Sequence, residues 1–408
     1  MSDASSIFRL RILYRRPAIL CALSLLLICT QTNAGTADPK LRKALAERAA
    51  FSPDQIAVLE RGEPVAKLIP SSDPREVAVC GVIEIPSDPE TALKAFQLSL
   101  SLKQNSLLQS GKFTNPPRVE DLASMTLSDG DIADLKTCTV GNCKLKLSAA
   151  MIQRFQKSID WNAIDYKEQA NQLFRLMMVE YVTTYLQKGD AALIEYADQS
   201  AGVALAREQE SLLANLLYVN DTAPEFIRHL KAFPRSTVPV EHSLSWAILN
   251  FGLKPVVVIT DVSTYRSDVD GVRRVLVLSK QIYANHYLDA SLSLTAAIAD
   301  QTRTKSDLLY VNHSRAGALA SSFSKFKHRI VEGRATEDLK NLLGQTRLNL
   351  DVVLNNSSLS FQPTLIQRIS ESRVLRIIAL LVLLKMIGSA FYLTFRRKKF
   401  GRALRQEA

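Results

Sequence analysis

The apolar positions divide the chain into strands near both ends of its central part and helices between them. Residues 38–61 have the spacing of a helix with one charged face, interrupted near Pro53. Residues 65–69 and 76–85 are rich in branched apolar residues and are separated by a polar turn, which predicts two strands. A helix from Pro89 to Leu100 is predicted to follow, because Asp88-Pro89 is a typical helix start.

The middle of the chain is predicted to be mainly helical. Apolar residues recur at spacings of three and four from Ser148 to Lys188, which is typical of two amphipathic helices. Residues 204–217 and 225–233 predict further helices. Residues 119–147 predict short elements, and within them Lys144-Leu145-Lys146-Leu147 alternates as the edge of a sheet does.

After Pro255 the pattern becomes that of strands. Residues 256–265, 272–299 and 308–314 predict three or four antiparallel strands, and a long amphipathic helix is predicted from about 316 to 352. Its apolar stripe consists of Leu319, Phe323, Phe326, Ile330, Leu339, Leu343 and Leu350. The predicted fold class is therefore α+β, with an antiparallel sheet packed on a long C-terminal helix and a mainly helical middle section.

The order of these elements resembles that of the START-like (SRPBCC, helix-grip) superfamily. The resemblance rests on the strand that ends in Glu84-Ile85-Pro86 and leads into the helix to Leu100, and on the strands and long helix of residues 255–352. It implies a curved sheet that grips the last helix, with a cavity between them for an apolar ligand or lipid. The residues at about 101–254 would then be a helical insertion.

Both ends of the chain carry membrane-targeting patterns. Four Arg precede an apolar run that ends at Cys29, and Thr32-Asn33-Ala34 is a small-residue cleavage motif, so residues 1–34 are predicted to be a signal peptide. Residues 374–395 are mostly apolar and precede a basic tail at 396–408, which predicts a transmembrane helix with its C-terminus in the cytoplasm. A helix lying in the membrane plane, or packed on the domain, is the alternative.

These segments define the predicted organisation. Residues 35–70 form a helical and extended lead-in, residues 71–354 the exported α+β domain with its insertion, and residues 355–373 a polar linker. The protein is predicted to cross the bacterial inner membrane once, with this domain on the periplasmic side.

The net charge of +11 does not indicate nucleic-acid binding. Residues 1–34 contribute +3 and residues 396–408 contribute +5, which leaves +3 for the rest of the chain, without a basic run. The charge is concentrated where export and anionic lipid headgroups account for it. The expected partners are the membrane, a lipid or other apolar ligand, and possible envelope proteins.

Three cysteines lie outside the predicted signal peptide. Cys138 and Cys143 flank a short loop around Gly141 and are a candidate disulfide in an oxidising compartment, or a pair of free thiols in a reducing one. Cys80 lies in an apolar strand and is interpreted as a small buried residue.

The sequence predicts no catalytic residue, metal or cofactor. The glycines are too dispersed for a dinucleotide or phosphate loop, and no HExxH or CxxC motif occurs. The densest polar stretch is 280–289, where His286 and Asp289 could form an acid/base pair or be hydrogen-bonded within the core. The candidate ligand-binding residues are Tyr283, His286, Tyr287, Phe323 and Phe326.

The leading functional hypothesis is a non-enzymatic, membrane-anchored protein that binds an apolar ligand or lipid in a helix-grip cavity. The alternatives are an envelope interaction or scaffold protein without a ligand, and a hydrolase whose catalytic triad is scattered in sequence.

Overall fold

A computed structural model describes residues 38–102, 107–250, 253–269, 271–300, 302, 304–320, 324–356 and 358–360, with the backbone alone for residues 101 and 324–335. The strands are β1 (Val65–Ile69), β2 (Glu76–Ile85), β3 (Leu107–Lys112), β4 (Glu195–Tyr196), β5 (Val203–Ala204), β6 (Val240–Leu249), β7 (Val256–Val269), β8 (Val272–Ala284), β9 (Ala290–Ala299) and β10 (Ser306–Arg315).

The helices of this part of the chain are α1 (Pro39–Glu47), α2 (Pro53–Glu60), α3 (Pro89–Ser101), α4 (Asp129–Leu135), α5 (Ala149–Ser158), α6 (Tyr166–Lys188), α7 (Leu205–Ala214), α8 (Val219–Thr222), α9 (Pro224–Ala232), α10 (Ser324–Leu348) and α11 (Leu350–Leu354). Short 3-10 helices lie at Val119–Leu122, Gly189–Ala192 and Gly317–Ala320.

One antiparallel sheet of eight strands organises the domain, in the order β1-β2-β10-β9-β8-β7-β6-β3. Strands β6 to β10 follow one another as a meander. Strand β2 pairs with β10, from Glu76 opposite Arg315 to Ile85 opposite Ser306. At the other end of the sheet, β3 pairs with β6 and is the edge strand. The sheet therefore joins residues before the helical section to residues after it, while β4 and β5 form a separate ribbon.

Apolar clusters cover both faces of this sheet. On one face, Trp246 and Ile259 pack in a large cluster with residues of the helical section such as Phe174 and Phe226. On the other face, residues of β2, β7 and β8 pack with α3 and with α10 and α11. Because both faces are covered, most strand positions are buried, and the simple alternation of a half-exposed strand is lost.

Helix α3 begins and packs as the sequence indicates. The Asp88 carboxylate accepts hydrogen bonds from the backbone N–H groups of Glu90 and Thr91, and Pro89 occupies the first turn, where no N–H is needed. The helix buries Leu93 and Phe96 completely against the sheet.

Helix α10 approaches β2 at a glycine. A Cβ atom added to Gly81 would lie 2.7 Å from Leu339 Cδ2 and 2.8 Å from Leu343 Cδ1, which is closer than apolar side chains pack. Leu339, Leu342 and Leu343 are buried in the same cluster as α3. The glycine therefore lets the helix lie directly on the strand.

The predicted α+β class with a large antiparallel sheet is confirmed. Three details were wrong. Strands β3 and β6 lie inside the region predicted to be helical, although the alternation of Leu244, Ser245 and Trp246 in β6 is typical of a strand. Residues 144–147 are not a strand, and the long helix begins at Ser324, after a 3-10 turn at Gly317–Ala320.

The predicted signal peptide, most of the linker, the transmembrane segment and the basic tail lie outside the described residues. Among the helices that are described, none combines the length and the apolar character needed to span a bilayer.

We expect the packing of α10 to be measurable with two leucines of the same helix. Leu343 is fully buried, so Leu343→Ala should lower the free energy of unfolding by about 3–5 kcal/mol through lost burial and a residual cavity. Leu348 is 68% exposed, so Leu348→Ala should change it by less than about 0.5 kcal/mol. Denaturant unfolding followed by tryptophan fluorescence measures both; equally small effects would mean that α10 does not pack on the sheet.

Candidate functional site

A band of short polar side chains crosses the face of the sheet that α3 and α10 share. We call it the polar band; its members are Ser245, Thr260, Ser279, Ser291, Ser293, Asn312 and Ser314, on strands β6 to β10. The register places them side by side: Ser245 lies opposite Thr260, and Ser293 opposite both Ser279 and Asn312. Each is at most 4% exposed.

The β9–β10 end of the polar band is a closed hydrogen-bonded group. The Ser291 and Ser314 hydroxyls lie 2.8 Å apart, the Ser314 hydroxyl donates to Asn312 Oδ1 at 3.0 Å, and Asn312 Nδ2 donates to the Ser291 hydroxyl at 3.5 Å. These side chains orient one another, because a buried polar group costs free energy unless it is hydrogen-bonded. The wall they form can both donate and accept hydrogen bonds.

Apolar clusters lie on both sides of the polar band. Thr260 sits between Val258 and Val262 on the same face of β7, since side chains alternate along a strand. Val258 belongs to a cluster with Leu249 and Leu319, and Val262 to the cluster with α3 and α10. This face of the sheet thus carries a polar strip between two apolar areas, which matches a molecule with a polar group and an apolar chain.

Tyr283, one of the predicted ligand contacts, lies on the opposite face of the sheet. Its fully buried ring lies near the rings of Phe174, Tyr181 and Tyr196, and its hydroxyl donates to the Lys146 carbonyl at 3.2 Å. Burial raises the pKa of Tyr283 well above its usual value. This tyrosine belongs to the helical side of the domain and does not face α10.

The suggested pair of His286 and Asp289 does not form. His286 Nε2 lies 2.9 Å from Asp131 Oδ1 on α4, while Asp289 accepts a hydrogen bond from Lys146 Nζ at 2.9 Å. Burial raises the pKa of Asp131, but hydrogen bonds from His286 and Lys254 outweigh it and the net shift is downward. Both residues thus attach the helical section to the end of β8, which agrees with the structural interpretation.

Of the other three predicted ligand-binding residues, the structure describes the side chain of Tyr287 only. Tyr287 is half-buried against the cluster of Val77 and Leu249, beside the polar band, and its hydroxyl accepts the Lys254 N–H at 3.2 Å. Its φ of 59° is in the left-handed region, which turns the chain after β8. Phe323 and the Phe326 side chain lie outside the described part of the chain.

A histidine pair that the sequence did not reveal lies on the helical side. His229 Nε2 of α9 is 2.6 Å from His242 Nε2 of β6, and His242 Nδ1 is 3.1 Å from Asp261 Oδ1. The Tyr185 hydroxyl donates to Asp261 Oδ2 at 2.7 Å. Burial raises the pKa of Asp261, yet its bonds to His242 and Tyr185 and the nearby Lys280 lower it overall. The bonded residues are 13 to 76 positions apart in sequence, so no local sequence motif predicts these contacts.

This constellation also tests the hydrolase alternative. Ser263 Oγ lies 3.3 Å from His242 Nδ1, which is the nitrogen that Asp261 contacts. A catalytic triad needs the carboxylate on one ring nitrogen and the nucleophile on the other. Here the second nitrogen faces His229, and Ser263 is only 2% exposed. The geometry does not activate Ser263 as a nucleophile.

A disulfide loop borders an open groove on the helical side. The Sγ atoms of Cys138 and Cys143 are 1.99 Å apart, so the candidate pair is bonded, whereas Cys80 is a buried free thiol. Backbone hydrogen bonds from Gly141 to Ala197 and from Cys143 to Asp198 attach the loop to the chain around β4. The groove of about 830 Å³ has Met151, Tyr181, Ile194 and Tyr196 among its lining residues.

No set of three or more His, Cys, Asp or Glu side chains in the part of the chain that the structure covers is arranged to hold a metal ion. Comparison of the chain with protein-family models, curated proteins and solved structures returned no match.

The histidine pair predicts a pH dependence. Burial, and then the neighbouring His242, lower the pKa of His229 below its usual value of about 6.5. The unfolded chain therefore binds this proton more readily than the folded protein, and the free energy of unfolding should fall as the pH drops below about 6.5. We expect His229→Gln, which keeps a donor for His242 but does not titrate, to remove this dependence.

The comparison is made as the difference between the two proteins at each pH. Burial raises the pKa of Asp307 to about 6, which acts in the opposite direction, but that contribution is the same in both proteins and cancels. In denaturant titrations, the difference in the free energy of unfolding between the wild-type protein and His229→Gln should be constant above pH 7. It should become smaller between pH 6.5 and 5. A difference that is constant over the whole range would rule out a titrating His229.

Proposed function

We propose that this protein is a membrane-anchored, exported binding protein that holds an amphipathic ligand, such as a lipid, on the sheet face next to α3 and α10. The observation that carries the proposal is the polar band between two apolar clusters. Cores that only stabilise a fold are built mainly from apolar side chains, because each buried hydroxyl or amide requires a partner. Seven such side chains on five adjacent strands instead favour a wall that recognises a polar group.

The strand order supports the helix-grip interpretation. Strand β2 leads into α3, the last strand β10 returns beside β2, and the following helix α10 packs on β2 and α3. This is the order in which the START-like resemblance places its elements. Two departures belong to this chain: β1 extends the sheet beyond β2, and the segment between β3 and β6 forms the helical layer on the opposite face.

The ligand class follows from the chemistry of the face. The Ser291, Asn312 and Ser314 group offers neutral donors and acceptors and no formal charge, so it suits a hydroxyl, ester or amide group. The apolar clusters on either side suit hydrocarbon. A glycerolipid or another neutral amphipath has both features, whereas a small ion or a nucleic acid lacks the hydrocarbon part.

Three features support export and anchoring. The Cys138–Cys143 disulfide suits an oxidising compartment. The N-terminal pattern is that of a signal peptide, and the apolar residues 374–395 followed by the basic tail are typical of a single-pass anchor. The bacterial inner membrane, with the domain in the periplasm, satisfies all three.

Contact with another envelope protein is a second candidate function. The groove beside the disulfide loop favours it, because Val140, Tyr181 and Ile194 line this groove and Val140 is 49% exposed. Aromatic and aliphatic side chains in an open groove are typical of sites that accept a partner's side chains.

Ligand binding is tested by removing the polar group while keeping its volume. Asn312→Leu should abolish co-purification of lipid in native mass spectrometry, because the amide is lost while the Ser291 and Ser314 hydroxyls still bond each other. The matched control is Thr346→Val, which removes a buried hydroxyl that donates to the Leu342 carbonyl in α10, away from the polar band. Wild-type protein without lipid, or equal lipid occupancy in Asn312→Leu, would contradict the proposal.

The topology is tested separately. A reporter enzyme that is active only in the exported compartment should be active when fused after residue 372 and silent when fused after Ala408, because the apolar segment lies between the two points. Activity at both positions would remove the anchor without affecting the ligand proposal.

A further inference from the structure

The C-terminal ends of α3 and α10 lie together at one end of the domain. Asn349 Nδ2, just after α10, donates to the Ser99 hydroxyl near the end of α3 at 2.9 Å. Leu350 and Val353 of α11 are buried in the same cluster as Leu93 and Phe96 of α3. The two helices therefore finish at the same place.

This end of the domain exposes several apolar side chains. Leu102, which caps α3, is 68% exposed, and Leu348, Val352 and Leu354 are 68%, 50% and 60% exposed. Single exposed apolar residues are ordinary on a protein surface, but a concentration of them marks an interaction surface. We call these four residues the apolar end.

We propose that the apolar end is a membrane-contacting surface that rests in the headgroup region of the bilayer in which the protein is anchored. This inference rests on the proposed anchor at residues 374–395. It gives the domain a fixed orientation, with α3 and α10 ending at the membrane.

The position of the apolar end in the sequence identifies the bilayer as the occupant. The described chain ends at residue 360, and the apolar run begins at Ile377. The 16 residues between them can span at most about 55 Å, which is the greatest distance that can separate the end of the described chain from the predicted anchor. No other exposed apolar residue in the described ranges is nearer in sequence to the predicted anchor.

The charge of the connecting segment fits the same occupant. Residues 361–376 contain Arg368, Arg373 and Arg376 against Glu371, and basic residues next to a bilayer are attracted to anionic lipids. A second copy of the chain is a poorer fit. Four aliphatic side chains cover far less than the roughly 800 Å² that each partner of a stable dimer buries.

The orientation also serves the proposed ligand site. Helices α3 and α10 lie on the same face of the sheet as the polar band, so contact of their C-terminal ends with the bilayer would hold this face upright on the membrane. A lipid that leaves the bilayer beside the apolar end would then pass along α3 or α10 to reach the polar band.

Depth-dependent fluorescence quenching of the full-length protein tests this surface. Cys80 is buried, and Cys138 and Cys143 are bonded to each other, so none of the three reacts with a thiol-specific dye. When Cys21 and Cys29 are replaced by Ser, a single introduced cysteine can therefore be labelled with an environment-sensitive dye. Val352→Cys places the dye at the apolar end. Ile164→Cys is the matched control, because Ile164 is fully exposed and lies in the connection between α5 and α6, on the helical side of the sheet.

Both labelled proteins are reconstituted into vesicles of phosphatidylethanolamine and phosphatidylglycerol that carry a spin label just below the headgroup. We expect dye emission at position 352 to be blue-shifted and several-fold more quenched than at position 164. Equal quenching at the two positions in protein that floats with the vesicles would overturn the inference and leave the anchor intact. Self-quenching between dyes at 352 without lipid quenching would assign the surface to a second copy and also overturn it.

Failure of the anchor has a different signature. Protein that does not float with the vesicles would refute the anchor and this inference together, while lipid co-purification with Asn312 and its Leu variant still tests the binding site. An unchanged thermal unfolding midpoint of both labelled proteins confirms that the substitutions leave the fold intact.

Discussion

The pairing of β2 with β10 is the constraint on which the rest of the structure depends. It joins segments more than 200 residues apart in sequence: Arg315 and Glu76, for example, are separated by 239 positions. Closing such a loop costs conformational entropy before any contact compensates it. Once formed, the pairing brings α3 and α10 onto one face of the sheet and places the helical section on the other.

Buried charges specify the register of this pairing. Arg315 and His313 of β10 both contact the Glu76 carboxylate of β2, at 2.8 to 2.9 Å, and all three side chains are almost completely buried. Arg315 also binds Glu208 of α7 at 2.8 Å, which attaches the helical layer. A slip by one residue would turn every side chain of β10 to the opposite face and leave these charges unpaired, at a cost of several kcal/mol. The charges stabilise this register against the alternatives.

Much of the architecture could be predicted from local patterns, because the elements that carry it have strong ones. The bounds of β1 and β2 are those that the branched residues and the polar turn indicate, and α5 and α6 follow the spacing of their apolar residues. Strand β6 has only a short pattern of this kind. Leu244, Trp246 and Ile248 face one side with Ser245 and Ala247 between them, while the residues just before Leu244 are polar, so the alternation covers only half of the strand.

The candidate sites were harder to predict because they are made by tertiary contacts. The polar band consists of serines, a threonine and an asparagine that individually look like the solvent face of a strand; only the covering of both faces makes them interior. His286 was expected near Asp289, but its carboxylate partner is Asp131, 155 positions away. Long-range pairs of this kind leave no trace in spacing.

The absence of a side chain at Gly81 has a consequence for how the sequence can vary. Because Leu339 Cδ2 and Leu343 Cδ1 occupy the space that a Cβ atom there would need, position 81 and two positions on α10 share one volume. A larger residue in β2 is compatible with the same helix position only if residue 339 or 343 becomes smaller. Positions 81, 339 and 343 are therefore expected to change together among homologous sequences. Covariation between them would place the helix on the sheet from sequences alone.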